Sequence, residues 1–289
     1  MTAPLPQQDR DPARPVFLKV EQPRATGQVV QAIVTIAVVL AIVAWFVTSG
    51  VFDLSTSWEY LFSPAILEGL WNTLTLATLS TALAIILGTL VALARISPNR
   101  VLSVGAAIYV YLFRGTPMLV QMLIWYFAIP RMIGRVTIGI PFTDVVFIDN
   151  VPASQFFTPF LAGLFALTLA ETGYMAEVIR AGISGVDQGQ RDAARALGLP
   201  RRKVMLQVVL AQAFRIQMPA LGNQYIMMIK NTSLGYAIGY MELLLSASRI
   251  YQSNFQYLEL LLVAAFWYLV LTALVTFLQN ALEHRFPAR

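Results

Sequence analysis

Three charged side chains stand inside stretches that otherwise carry almost none: Arg114, Glu171 and Lys230. A charge at that depth in an apolar segment is costly, persists only with a partner or a task, and marks a ligand pathway by default. Around Arg114 the order Arg-Gly-Thr-Pro adds a second chemistry. Thr116 suits a helix N-cap and Pro117 the first helical position, so a helix broken at Gly115 would restart there. Such a break turns backbone N–H groups and a positive dipole end toward a cavity, which suits a carboxylate. A plain proline kink, with Arg114 reaching for an interface, is the alternative. Lys230 is followed by Asn231, Thr232 and Ser233, a second cluster of donors, or else a lysine snorkelling at a helix end. Glu171 would accept an ammonium or pair with Arg114. Gln121, Asn223 and Gln224 supply neutral hydrogen bonds, to a ligand or between helices.

Reaction chemistry is poorly provided for. The chain has no cysteine, so thiolate metal sites are excluded, and its one histidine, His284, lies next to the C-terminus. No Gly-Lys dipeptide occurs, hence no phosphate-binding P-loop, and no HExxH zinc motif occurs. The string Gly-Ile-Ser-Gly at 182–185 has the look of a serine nucleophile, but such a serine needs a base within hydrogen-bond reach. The expectation is a non-catalytic chain with no metal and no cofactor of its own.

The elements that must position these groups are membrane spans. The 289 residues are 57% hydrophobic and 12% charged, against about a quarter charged in a soluble domain. Charge-free windows run over 25–52, 69–94, 115–130, 150–170, 216–229 and 260–282. A span needs about 20 apolar residues. Six spans are expected, near 28–50, 66–94, 101–129, 157–179, 204–230 and 256–281. The basic residues then collect on one side. They are Arg10, Arg14, Lys19 and Arg24 in the tail, Arg95 and Arg100 after the second span, six from Arg180 to Lys203 after the fourth, and Arg285 and Arg289 at the end. That side is the cytoplasm by the positive-inside rule, and it holds both termini. The net charge of +5 is explained by these flanks, with no role for nucleic acid. Residues 1–27 read as a disordered cytoplasmic tail.

One polar stretch interrupts the cytoplasmic side: DQGQRDAARALGLP, 187–200. Asp187 and Gln190 have capping-box spacing, Gly198 is a natural stop and Pro200 prevents continuation. On a helical wheel Ala193, Ala194, Ala196 and Leu197 share one arc; Arg191, Asp192 and Arg195 share the other. With Gly189 this makes a short capped helix over 187–198. Its nearly flat alanine face suits close approach of another backbone better than burial in headgroups, which favours bulky side chains.

The run AEVIRAGISGVDQGQRDAARALGLPRRKVMLQVVLAQAFRIQMPALGNQYIMMIKNTSL resembles the signature loop of bacterial ABC-importer permeases. More narrowly it is similar to the polar amino-acid branch, as are YLFRGTPMLVQMLIWYF at 111–127 and the span beginning LWNTLTLATLSTALAIILGTLVALARIS. The resemblance covers about 66–285. It implies an all-α polytopic protein of the inner membrane, with a five-helix core and an extra N-terminal helix at 28–50. It implies that 187–198 is a coupling helix docking on a separate ATPase subunit, which holds the ATP and magnesium. It implies a second permease subunit, identical or related, an extracytoplasmic solute-binding protein and an amino-acid substrate, with Lys230–Ser233 near its path. Two cations and one carboxylate would favour a substrate with an acidic or amide side chain. Asp192 stands where the family usually has Glu, Asn231 where it often has Asp, and Ala211 where proline is common, so the fifth span should start with less of a kink. An ion-gradient-driven transporter is the alternative, though no internal repeat is evident and the polar helix would then lack a task.

Overall fold

The computed structural model describes residues 25–48, 53–140 and 146–285. The tail expected at 1–27, apart from its last three residues, lies outside the described residues, as do the last two of the span expected at 28–50 and Arg289. The chain divides into two units, Met1–Phe52 and Asp53–Arg289. The described part of the first is one helix, α1 (Ala25–Thr48), free of charged residues. At 1.5 Å per residue its length is about 36 Å, enough for a bilayer core of about 30 Å.

In the second unit the order is α2 (Leu54–Leu61), α3 (Pro64–Arg95), α4 (Arg100–Gly115), α5 (Met118–Leu123), α6 (Ile129–Ile133), β1 (Arg135–Gly139), β2 (Val146–Pro152), α7 (Ala153–Phe156), α8 (Pro159–Gly185), α9 (Gln188–Ala196), α10 (Arg201–Lys203), α11 (Leu210–Asn231), α12 (Leu243–Asn254) and α13 (Tyr257–Arg285). π-helical turns at Ile124–Ala128 and Val204–Val209 join α5 to α6 and α10 to α11, and a 3₁₀ segment, Thr232–Ile238, follows α11. Helix starts follow local chemistry. Asp53 accepts the Ser55 amide at 2.9 Å, Asn99 accepts that of Val101 at 2.9 Å, and Thr158 accepts that of Leu161 ahead of Pro159.

The helical class holds, with one departure: β1 and β2 pair antiparallel, Val136 opposite Val151 and Ile138 opposite Ile148. The expected spans make this segment only the connection between the third and the fourth. Two β-branched runs inside one 27-residue connection, 130–156, carried the signal. Among the described residues of the second unit three helical runs are long and apolar enough to cross a membrane: Pro64–Arg95, Arg201–Ile238 and Tyr257–Glu283. The bent pair Arg100–Gly115 and Met118–Ile133, turned by 100°, makes a fourth if it is one span. α8 is as long as a span, but Glu171, Glu177 and Arg180 lower its apolarity. The start of the fifth span is a π turn followed by a helix with Pro219 inside it, so irregularity enters without a proline at Ala211.

α3 and α8 run side by side at the centre. Leu76 meets Gly163, Gly88 meets Met175, and Ala92 clusters with Ile179. These pairs hold one parallel register, along i, i+4 stripes of both helices. Small residues let the backbones close in, the usual basis of helix association in lipid. A Cβ on Gly88 would sit 2.6 Å from Met175 Cβ and 3.1 Å from the Ala176 backbone nitrogen. Gly88→Val is therefore expected to destabilise the fold by about 1–3 kcal/mol through overpacking, visible as a lower Tm in detergent.

Candidate functional site

Arg114 stands in the last turn of α4, and the break beyond it is built by local rules. Pro117 excludes the helical region for the residue before it, so Thr116 is extended, with φ −105° and ψ 140°. The helix restarts at Met118 with Pro117 as its cap residue. Thr116 is thus not the N-cap expected. Its hydroxyl donates backward to the Leu112 carbonyl at 2.9 Å, closing the end of α4. Gln121, buried in α5, completes the closure. Its Nε2 donates to the Phe113 carbonyl at 2.9 Å, the Thr116 carbonyl at 3.2 Å and Thr116 Oγ1 at 2.7 Å. Of the two expected uses, a ligand or a neighbouring helix, the hydrogen bonds shown are of the second kind, and they pin the bend. Gln121→Leu keeps the volume but strips two carbonyls of their donor. At about 1–3 kcal/mol for an orphaned buried group, it is expected to lower Tm and to loosen the bend, measurable by distance distributions between spin labels on α4 and α5.

Arg114 itself is exposed. Its guanidinium carbon lies 5.2 Å from the Tyr174 ring centroid, and its stem packs on Gly173, where a Cβ would lie 3.1 Å from Arg114 Cγ. It lines a cleft of ≈ 470 Å³ with Arg95, Tyr111, Gly115, Tyr174 and Glu177. Glu177 is the carboxylate of this cleft. It bonds Arg95 at 3.4 Å and Arg180 at 2.8 Å, tying the ends of α3 and α8 together. Sequence reading passed over it because Glu177 and Arg180 look like an ordinary i, i+3 surface pair.

Among the described residues Arg114 and Lys230 line separate clefts, and Glu171 lines neither. Glu171 is 2% exposed and makes no ion pair among the described residues. It lies on the α8 stripe between Leu167 and Met175 that faces α3. Lys230 is exposed and lines a separate cleft of ≈ 460 Å³ with Ser233, Tyr268, Leu269 and Thr272. The hydroxyls of Thr232 and Ser233 donate to the Ile229 and Lys230 carbonyls, each at 2.7 Å, and so close the end of α11. Asn231 is half-buried beside them. Asn223 is exposed and Gln224 half-buried on α11, neither with a side-chain hydrogen bond among the described residues. The 3₁₀ segment packs on α5, so the two chain breaks adjoin although their charged groups open to different clefts.

α9 forms the short projection expected at 187–198. Asp187 caps it, but by the Gly189 amide at 2.7 Å, and Gln190 turns to Gln212 at 3.4 Å instead of closing a capping box. The C-terminal stop is complete. Gly198 has φ +76°; its amide bonds the Arg195 carbonyl and that of Leu199 bonds Ala194, while Leu199 packs on the cluster holding Ala194. Those two bonds and the apolar contact are a Schellman motif, which requires a residue tolerant of left-handed backbone at 198. The two arcs of the wheel are divided differently from the expectation. Ala194 is buried in this chain's own core with Val204 and Val209, whereas Ala193 and Ala196 are exposed and Leu197 is 82% exposed. Arg191 folds back to donate to the Ile183 carbonyl at the end of α8, leaving Asp192 and Arg195, paired at 3.4 Å, as the outward charges.

This arrangement has relatives. Residues 84–287 match the family described as the binding-protein-dependent transport system inner membrane component. The chain is 35% identical over 281 residues to the arginine transport system permease protein of Corynebacterium glutamicum, covering 95% of this chain and 84% of that one. It is 35% identical over 232 residues to a putative glutamine transport system permease protein of Rickettsia bellii, covering 78% and 97%. A crystal structure of an amino acid ABC transporter with histidines superposes with a TM-score of 0.67 at 32% identity, over 81% of this chain and 99% of that one. Extensive helices, a short capped projection and a match over most of the length agree, and the chain belongs to the family of binding-protein-dependent transport system inner membrane components, as a membrane-spanning permease subunit.

Proposed function

We propose that this chain forms the translocation pathway of an ATP-driven amino-acid importer and receives its mechanical input through α9. Its partners are a separate ATPase subunit that binds ATP and magnesium, a second permease subunit, and an extracytoplasmic solute-binding protein that meets the outer segments 130–156 and 231–255. The observation that carries this reading is the construction of α9. A helix capped at both ends, rooted by Ala194 and Arg191, presents Leu197 and two alanines outward, uncovered among the described residues. The root explains how a push would travel. Arg191 grips the end of α8 and Ala194 packs on the π turn leading into α11, so displacement of α9 moves both helices. α8 carries Tyr174 and Glu177, two walls of the Arg114 cleft. Motion at the cytoplasmic end would thereby reshape that cleft and expose it alternately to the two sides.

The charge of the cleft supports an amino acid with an acidic or amide side chain. Arg95 and Arg114 face it with Glu177 alone in opposition, and Glu177 is already engaged by two arginines. A cationic substrate is the second reading, favoured by the arginine permease of C. glutamicum. Co-reconstituted permease, ATPase and binding protein decide both points. Uptake of glutamate or glutamine that requires ATP and survives an uncoupler supports the proposal. Uptake that runs on an ion gradient without ATP would sink the importer, and a strong preference for arginine would sink the charge argument alone.

A further inference from the structure

We propose that α2 is an interfacial anchor whose outward apolar stripe, Leu54, Trp58 and Phe62, seats in bilayer lipid at the membrane boundary remote from α9. At about 100° per residue the helix divides into three sectors. Thr56, Ser57, Tyr60 and Leu61 share one side, buried or half-buried, and Tyr60 and Leu61 pack on the cluster of Ile66, Leu243 and Leu260. Leu54, Trp58 and Phe62, at i, i+4 and i+8, are 62%, 70% and 56% exposed. Beyond them Ser55 and Glu59 form an exposed polar edge. An apolar sector set between a protein-facing side and a polar edge fits a helix lying where membrane meets water, with Trp, Phe and Leu on the lipid side.

The stripe is held rigidly. Asp53 caps α2, and its own amide donates to Glu259 Oε1 at 3.2 Å. At the other end Trp267 Nε1 donates to the Leu61 carbonyl at 2.7 Å. Both partners belong to α13, and Trp267 stands about two turns, roughly 12 Å, beyond Glu259. α2 therefore advances along α13 as it runs, and Phe62 stands further from the start of that helix than Leu54 does.

Position and continuity select the occupant. α2 packs with Ile66 at the start of α3, whereas α9 packs with Ala92 near its end. Along the helix these levels are about 39 Å apart, against a hydrocarbon core of about 30 Å. The rings form one path from α2 onto α13. Trp58 meets Phe62 at 6.3 Å between centroids, Phe62 meets Trp267 at 5.7 Å and Trp267 meets Phe266 at 5.7 Å, each edge to face. Phe266 is exposed on α13, a helix long and apolar enough to cross a membrane. The stripe is thus continuous with the surface of a span. A soluble partner covering it would have to end in mid-patch, while lipid covers both parts without a break. Tryptophan suits that level, with an apolar body and one N–H for headgroup or water.

The test is nitroxide accessibility in the full-length chain in phosphatidylcholine nanodiscs, without ATP or amino acid, so its outcome does not depend on the proposed transport activity. The chain has no cysteine, so Leu54→Cys, Trp58→Cys, Glu59→Cys and Phe62→Cys each carry one label, and the parent taken through the same labelling is the blank. The expected ratio of oxygen to nickel-chelate collisions is severalfold higher at 58 and 62 than at 59, and it rises from 54 to 62. Ratios at 58 and 62 as low as at 59 would overturn the anchor and leave an open docking face. Few collisions with either reagent at 58 and 62 would overturn it in favour of a protein cover, either α1 or a second copy of the chain. A second measurement keeps the native side chains. Phosphatidylcholine brominated near the top of its acyl chains should quench at least half of the emission that Trp58→Phe removes from the parent, and that component left unquenched would overturn the anchor as well.

Discussion

Leu197→Asp is expected to cut ATP-driven uptake by about thirtyfold or more while the permease still folds and inserts. Leu197 is the one large apolar side chain on the outer surface of α9, 82% exposed, held rigidly between the Ala194 root and the Gly198 stop. Rigid, exposed apolar groups at the tip of a projection are where docking energy concentrates. Losing such an anchor at the centre of an interface costs about 2 kcal/mol or more, which is about thirtyfold in Kd. Aspartate adds a buried charge and an unfavourable sign at a helix C-terminus, worth only about 0.3–1 kcal/mol within α9 itself. The check is twofold: affinity of the purified permease for its ATPase subunit, and Tm of the permease alone. Lost affinity with unchanged Tm is the expected pair, and Leu197→Met should retain both. Ala194→Trp gives the contrast. Because Ala194 is buried against Val204 and Val209, the bulky substitution should lower Tm first and coupling only as a consequence. Tight ATPase binding by Leu197→Asp would mean that α9 is a surface helix of no mechanical importance.

Arg114→Ala is the second large effect. It removes a guanidinium stacked near the Tyr174 ring and one of the two cations facing the Glu177 cleft. Truncating a charged group that a ligand depends on costs about 2–5 kcal/mol, so uptake should fall by about thirtyfold at the least, with assembly on the ATPase retained. Arg114→Lys should recover part of it, since lysine restores charge without the planar fork that bonds a carboxylate in two places. Uptake by Arg114→Ala equal to the parent's would reduce the α4–α5 break to an architectural bend. The stem of Arg114 also packs on Gly173, so Tm must be read beside transport to separate lost recognition from lost packing.

Much of this was legible in the chain because it rests on local rules. Pro117 forces Thr116 out of the helix whatever surrounds it, so the existence of a break after α4 was readable, though the helix runs on through Gly115 and restarts at Met118, one residue later than expected at each end. Gly198 before Leu199 and Pro200 announces a helix stop, and the stop is there. Apolar runs the length of a bilayer announce spans. Readings failed where a side chain had to choose among partners brought by other elements. Thr116 was assigned to a cap and Gln121 left between a ligand and a neighbouring helix, and both turn to the groups nearest them, the last carbonyls of α4 across the bend. Arg191 sits on the charged arc of α9, yet the Ile183 carbonyl is within its reach only because α9 folds back under α8. Arg114, Glu171 and Lys230 look like one constellation in a list of rare charges, and helix packing sends them to three different surroundings.

The sequence by itself determined where helices begin, break and stop, which segments are apolar enough for lipid, and that a polar projection separates two of them. It could do so because capping, proline geometry and hydrophobic length act over a turn or two of chain. Only the tertiary structure decided which face of α9 is root and which is exposed, and that Glu177 and not Glu171 stands with Arg114. Those outcomes depend on the register between α3 and α8, fixed by contacts such as Gly88 on Met175 between residues far apart in the chain, which no local pattern encodes.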